Sequence, residues 1–289
     1  MDDKRYARNK IKEQIMRILF FVCACASVFA VAAICVFIFA NGLPAIGEIG
    51  VPEFLLGKEW RPGMNKFGIF PMIVGSIYVT AGAIIIGVPI GLLCAVFMSR
   101  FCPKWLYKII KPLIELMAGI PSVVYGFFGI VVIVPELRNM FGGSGKGVLA
   151  ASILLGIMIL PTLVSVIEAS LNAVPNSYYE GALALGATHE RSVFFTILPA
   201  AKSGIMAGVI LGICRAIGET MAVVMVAGNS PIIPDSVISN VRTLTANIVL
   251  EMNYAADLHE EALIATAAVL FIFILIINVS FSLFKKRKG

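Results

Sequence analysis

Residues 204–228 read GIMAGVILGICRAIGETMAVVMVAG, apolar throughout except for Arg215, Glu219 and Thr220. At about 1.5 Å per residue, a helix of this length crosses the roughly 30 Å of hydrocarbon in a bilayer. Five more runs of comparable length and character occur at residues 18–40, 67–98, 112–134, 148–171 and 261–284. An unsatisfied backbone amide in lipid costs about several kcal/mol, so runs of this kind must be helices. The whole composition agrees, with 59% hydrophobic and only 14% charged residues and a mean hydropathy of +0.95. The expected fold is an all-α polytopic membrane protein with six transmembrane helices. It divides into a basic segment over 1–17, a six-span body over 18–284 with its core over 67–284, and a basic tail over 285–289.

The first run follows Lys4, Arg5, Arg8, Lys10, Lys12 and Arg17, as a secretory signal would. Its apolar core continues to Ala40, beyond the roughly 7–15 residues of a cleavable signal, so it reads as a retained anchor. Sixteen Lys and Arg, including Arg100, Lys104, Lys108, Lys111, Arg191, Lys202 and the tail, fall on one side of the expected membrane, and six fall on the other. That asymmetry places both termini in the cytoplasm. The net charge of +6 is then explained by anionic lipid headgroups, with no nucleic-acid partner required.

Enzyme chemistry finds little to work with. His189 and His259 are the only histidines, too few for a zinc site. The six cysteines read as reduced packing residues; Cys23 and Cys25 point in different directions on a helix and cannot share a metal. GGSGKG at 142–147 has the outline of a phosphate loop, but it lacks the leading glycine and puts Gly147 where Ser or Thr is required, so it reads as a turn. No nucleophile and base stand together. Energised work by this chain would need ATP and Mg bound on another polypeptide.

Arg215 and Glu219 are four apart, a spacing that puts both on one helical face. Each costs roughly 2.5–3.5 kcal/mol alone at a bilayer centre, and an ion pair there is no more stabilising than well-packed apolar residues. A packing pair is one reading. The other is a pathway in which the guanidinium binds an oxyanion through several donors and Glu219 holds Arg215 between passages. Gly204, Gly208, Gly212, Ala216 and Thr220 form a small-residue ridge, expected to face another subunit and to turn the pair toward the interior of an assembly. Gly87, Pro89, Gly91, Pro121 and Pro161 are expected kink sites. Ser122 is a candidate pathway residue, and Glu115 is expected near the cytoplasmic edge.

Residues 174–204, VPNSYYEGALALGATHERSVFFTILPAAKSG, do not form a simple connector. Pro175 suits a first helical turn, Gly186 a left-handed exit, Thr188 a second cap and Pro199 a stop, giving helix, break, helix over 175–200. Such a pair could lie in the headgroups with Leu183, Val193, Phe194 and Phe195 in lipid, or it could dock a partner. Glu180, Gly181 and Ala182, then after three residues Gly186, then after nine more Thr196-Ile197-Leu198-Pro199, resemble the EAA loop of ATP-binding-cassette importer permeases. Gly181 and Thr196 depart from the family's Ala and Ile. The resemblance implies that Glu180, Gly181, Ala182, Gly186, Leu198 and Pro199 couple to an ATPase.

FGIFPMIVGSIYVT, ELMAGIPSVVYGFFG, RAIGETMAVVMVAGN and RTLTANIVLEM are together similar to phosphate-importer permeases of the PstC type, over a stretch from Phe67 to the end. This resemblance implies the type I ABC importer permease fold in a bacterial inner membrane. It also implies a heterodimer with a second permease, two ATPase subunits and an external phosphate-binding protein, with phosphate passing Arg215, Glu219, Thr220 and Ser122. Chemistry without the resemblance reads only an anion, leaving sulfate and molybdate open. An ion-gradient carrier with Glu219 as proton site also stays open, as does an assembly or sensor protein. The segments 41–66 and 229–260, with Glu53, Glu59, Arg61, Arg242 and Asp257, are expected outside the membrane, where they could dock a binding protein.

Overall fold

The computed structural model describes residues 2–286; Met1 and, from the basic tail, Arg287, Lys288 and Gly289 lie outside the described residues. Helix α1 runs Asp2–Ile49 and α2 Val51–Leu56, followed by a short antiparallel ladder of β1 (Trp60–Arg61) with β2 (Lys66–Phe67). Helix α3 (Phe70–Val96) ends in a wide π-helical turn at Phe97–Phe101. Next come α4 (Lys104–Gly119), α5 (Ser122–Phe128), a second π turn at Gly129–Ile133 and α6 (Val134–Phe141). Four glycines at positive φ, at 142, 143, 145 and 147, carry the turn into α7 (Val148–Asn172). The chain continues as α8 (Asn176–Ala184), α9 (His189–Ser192), a π turn at Val193–Ile197 and α10 (Leu198–Ala200). It closes with α11 (Lys202–Gly218), α12 (Met221–Val226), α13 (Leu244–Glu251) and α14 (Leu258–Lys286).

Among the described residues, five helices are long and apolar enough to span a membrane; counting as one the pair His189–Ala200 and Lys202–Gly218, bent by 70°, gives a sixth. Two expected spans are corrected. The third is not a helix over 112–134: the chain breaks at Ile120 and Pro121, and the apolar span is Ser122–Phe141. Proline favours extended backbone in the residue before it, and Ile120 has ψ 127°. The fifth is not continuous over 204–228, because α11 stops at Gly218 and Glu219 is extended, with φ −70° and ψ 133°. Pro89 and Pro161, by contrast, lie inside uninterrupted helices.

Helix α7 is the core element. Leu154, Leu155, Ile159, Leu163, Ile167 and Leu171 are all buried along it. Small residues on both neighbours let the backbones approach. On α3, Gly87 faces Ile159 and the Gly156 carbonyl, and Gly91 faces Leu163; on α11, Gly208 faces Ile167 and Gly212 faces Leu163. The glycine ridge of α11 therefore packs within the chain, not against another subunit, because α7 presents the branched side chains that fill its notches. Gly87 and Gly91 are close-approach points and not kinks.

Helix α4 is held on α7 by Glu168, which is 2% exposed and accepts hydrogen bonds from Tyr107 Oη and Lys111 Nζ, both at 2.7 Å. Its opposite side leaves Trp105, Ile109, Leu113 and Leu116 exposed. Glu115 is exposed on this helix as well.

A smaller core joins Ala45, Phe54, Trp60, Phe67, Leu244 and Leu263. At its edge Glu251 receives Trp60 Nε1 at 2.8 Å, pairs with Arg242 and lies 2.9 Å from His259 Nε2. Arg242 is thus committed to an internal partner and is not a free docking charge. Glu53, Arg61 and Asp257 are exposed, and the exposed Glu59 carboxyl is held below the usual carboxylate range by the Lys66 ammonium bonded to it at 2.8 Å.

Candidate functional site

Two helices that begin after breaks in the chain pack against each other. Helix α5 begins after the Pro121 break and α12 after the Glu219–Thr220 break, and they pack so closely that a Cβ at Gly126 would lie 3.2 Å from Ala222 Cα. Ser122, the first residue of α5, is half-buried. Thr220 precedes α12 and donates its hydroxyl to the Gly218 carbonyl at 3.2 Å.

The break separates the charged pair. With Glu219 extended, Arg215 and Glu219 no longer share a helical face, and among the described residues no ion pair forms between them. Arg215 is exposed in the last turn of α11, with Nη1 3.5 Å from Thr162 Oγ1 on α7. Glu219 turns the other way, its Oε1 accepting from Ala222 N at 3.3 Å and so satisfying an amide at the start of α12. Apart from the long bond that Nη1 donates to Thr162, the guanidinium therefore keeps its donors available, which suits capture of an oxyanion by several hydrogen bonds. The expected clamp of Glu219 on Arg215 is absent for a simple reason: the helix that would have aligned them ends between them.

The break has support that sequence reasoning missed. Thr245 Oγ1 donates to the Glu219 carbonyl at 3.0 Å, and Ser76 Oγ accepts from Leu244 N at 3.0 Å, so α13, itself held by α3, braces the unwound residue. Thr162, Thr245 and Ser76 are ordinary helix residues in sequence; nothing local marks them.

The second element is the hairpin over 175–200. Gly186 has φ +83°, and Thr188 Oγ1 accepts from Arg191 N at 3.3 Å, so the expected helix, left-handed break and cap are all present. Pro199 does not end the second helix. The bond from Leu198 N to Val193 O, five residues back, widens the turn ahead of the proline, and the chain bends only at Ala201. Val193 and Ile197 are fully buried, which removes Val193 from any lipid-facing set. Glu180, Gly181, Gly186 and Pro199 are exposed, whereas Ala182 and Leu198 are half-buried. Leu185 is 91% and Phe195 78% exposed, leaving apolar surface on a charged hairpin. An open cavity of about 310 Å³ lies at its root between Ser170, Pro175, Tyr178 and Gly204.

Residues 87–289 match the family model described as "Binding-protein-dependent transport system inner membrane component". A protein of Bacillus subtilis strain 168 described as a probable ABC transporter permease is 40% identical over 243 residues, covering 82% of this chain and 79% of that protein. The phosphate transport system permease PstC of Mesorhizobium japonicum is 34% identical over 256 residues, covering 81% of this chain and 78% of its own length. Among solved structures, an inward-facing methionine ABC transporter superposes with a TM-score of 0.59 at 18% identity, covering 79% of this chain and 99% of that one. The likeness shows the fold, that of a type I ABC importer permease: all-α, polytopic, crossing the membrane several times.

Proposed function

This chain belongs to the binding-protein-dependent transport inner-membrane components and is an ABC importer permease subunit, and from that premise we propose that it conducts inorganic phosphate across a bacterial inner membrane. The supporting observation is the 34% identity, over 81% of the chain, to a permease whose name specifies phosphate. In this reading the chain pairs with a second, homologous permease, receives cargo from an external phosphate-binding protein, and moves it by alternating access. Two partner ATPase subunits hold ATP and Mg and hydrolyse the nucleotide; this chain does neither.

Arg215, Thr220 and Ser122 border the pathway, with Glu219 shaping it by capping α12. An unclamped Arg215 offers planar donors to a tetrahedral oxyanion, and Thr162 adds a hydroxyl beside it. Glu180, Gly181, Ala182, Gly186, Leu198 and Pro199 form the surface that couples to the ATPase. The 70° bend between the hairpin and α11 lets a push on the hairpin become a tilt of the helix that carries Arg215.

The test is uptake of labelled phosphate, sulfate and molybdate by the reconstituted complex, with and without ATP. ATP-dependent phosphate uptake that excess sulfate and molybdate do not compete away is the expected result. Preference for either competitor assigns a different oxyanion, and uptake without the ATPase on an ion gradient assigns a secondary carrier.

A further inference from the structure

The hairpin is joined by the backbone to α7 and α11, and a third helix, α3, is hydrogen-bonded to it through one imidazole, beside a looser ring contact of Phe101 with Phe194 at 6.5 Å. His189 opens α9, and its Nε2 lies 3.2 Å from the carbonyl of Arg100, in the π turn that ends α3. A carbonyl only accepts, so Nε2 donates, and Nδ1 shares a hydrogen bond with the Tyr179 hydroxyl of α8 at 2.8 Å. The ring also meets Phe101 edge-on, with centroids 4.7 Å apart. Arg100 in turn donates from Nη2 to the Leu171 carbonyl near the end of α7 at 2.7 Å. Both hairpin helices, the end of α3 and the end of α7 thus converge on one side chain and one backbone unit.

We propose that His189 is a positioning residue of the transport cycle: it carries displacement of the hairpin into α3, in addition to the helices the hairpin joins covalently. This rests on the reading of the hairpin as the ATPase docking surface. Helix α3 packs on α7 through the glycine contacts at 87 and 91, so a pull at its end is passed along the core and not absorbed locally. Without the imidazole, the hairpin can still dock and α11 can still tilt, but the end of α3 follows less closely, through its packing on α7 and the Phe101–Phe194 contact alone, and ATP is hydrolysed without a full change of access.

The experiment uses the assembled complex, comparing wild type with His189→Ala and Tyr179→Phe. Hydrogen exchange with and without ATP reads the response of Phe97–Phe101 and of residues 176–200, and proteoliposomes read phosphate taken up per ATP hydrolysed. The wild type is expected to respond in both segments. His189→Ala weakens the response at Phe97–Phe101 but not in the hairpin, and its uptake per ATP falls about three- to tenfold, the scale of one lost hydrogen bond; Tyr179→Phe shows a smaller fall in the same direction. An unchanged response of Phe97–Phe101 in His189→Ala, or uptake and hydrolysis falling in parallel, overturns the proposal. So does a wild type in which Phe97–Phe101 never responds. If His189→Ala does not assemble, Tyr179→Phe, which removes a single hydroxyl, decides the same comparison. A wild type that shows the ATP response at Phe97–Phe101 but takes up no phosphate contradicts the cargo assignment and leaves the role of His189 supported.

Discussion

Arg215 is the residue on which the pathway reading turns, because no carboxylate among the described residues neutralises it and a hydroxyl stands beside it. Arg215→Gln is expected to lower ATP-dependent uptake at least about tenfold, since hydrogen bonds from a charged donor are worth ~1.5–3 kcal/mol, while co-purification with the ATPase is unchanged. Arg215→Lys retains the charge but not the planar fork and falls between the two. Uptake assays paired with pull-down of the ATPase check both. Arg215 stands out in sequence, as a full charge inside an apolar run has to be explained. Its relation to Glu219 does not. A spacing of four implies contact only if the helix continues, and the bond from Thr245 to the Glu219 carbonyl, 26 residues away in the chain, belongs to an unwound backbone that no local signal announces.

At the scale of elements, the hairpin and the glycine ridge make opposite demands. Gly186 sits at φ +83° with nothing near the position of a Cβ, so Gly186→Val acts through backbone strain of about 1–2 kcal/mol and not through a clash. It is expected to weaken ATPase association while thermal unfolding of the helical bundle stays nearly unchanged. Gly204→Ala does the reverse: a Cβ there would overlap the Ser170 side chain, forcing α11 from α7 and costing about 1–3 kcal/mol. A lowered melting temperature in detergent checks it. The hairpin could be read almost whole from Pro175, Gly186 and Thr188, since caps and left-handed glycines act locally. The ridge could be seen as well, but its partner could not, because spacing says that something packs closely there and not which helix does. The third span failed differently: hydropathy alone ran through Pro121, where the chain breaks and α4 becomes a separate helix held by Glu168.

For the whole molecule, α7 is the axis against which α3, α4 and α11 are set. Glu168→Ala, which leaves Lys111 about one-quarter exposed and unpaired, is expected to destabilise the fold by roughly 1–3 kcal/mol and to free α4, seen as faster proteolysis within Lys104–Gly119. The proposed route requires that the exposed guanidinium at the end of α11 meet water, at the proposed interface with a second permease, and not lipid. The most direct measurement is the reactivity of Arg215→Cys, in a chain whose native cysteines are replaced, toward a membrane-impermeant thiol reagent in the assembled complex. Modification that slows in saturating phosphate is the predicted result. A thiol that reacts only with lipid-soluble reagents, indifferent to phosphate, would contradict it.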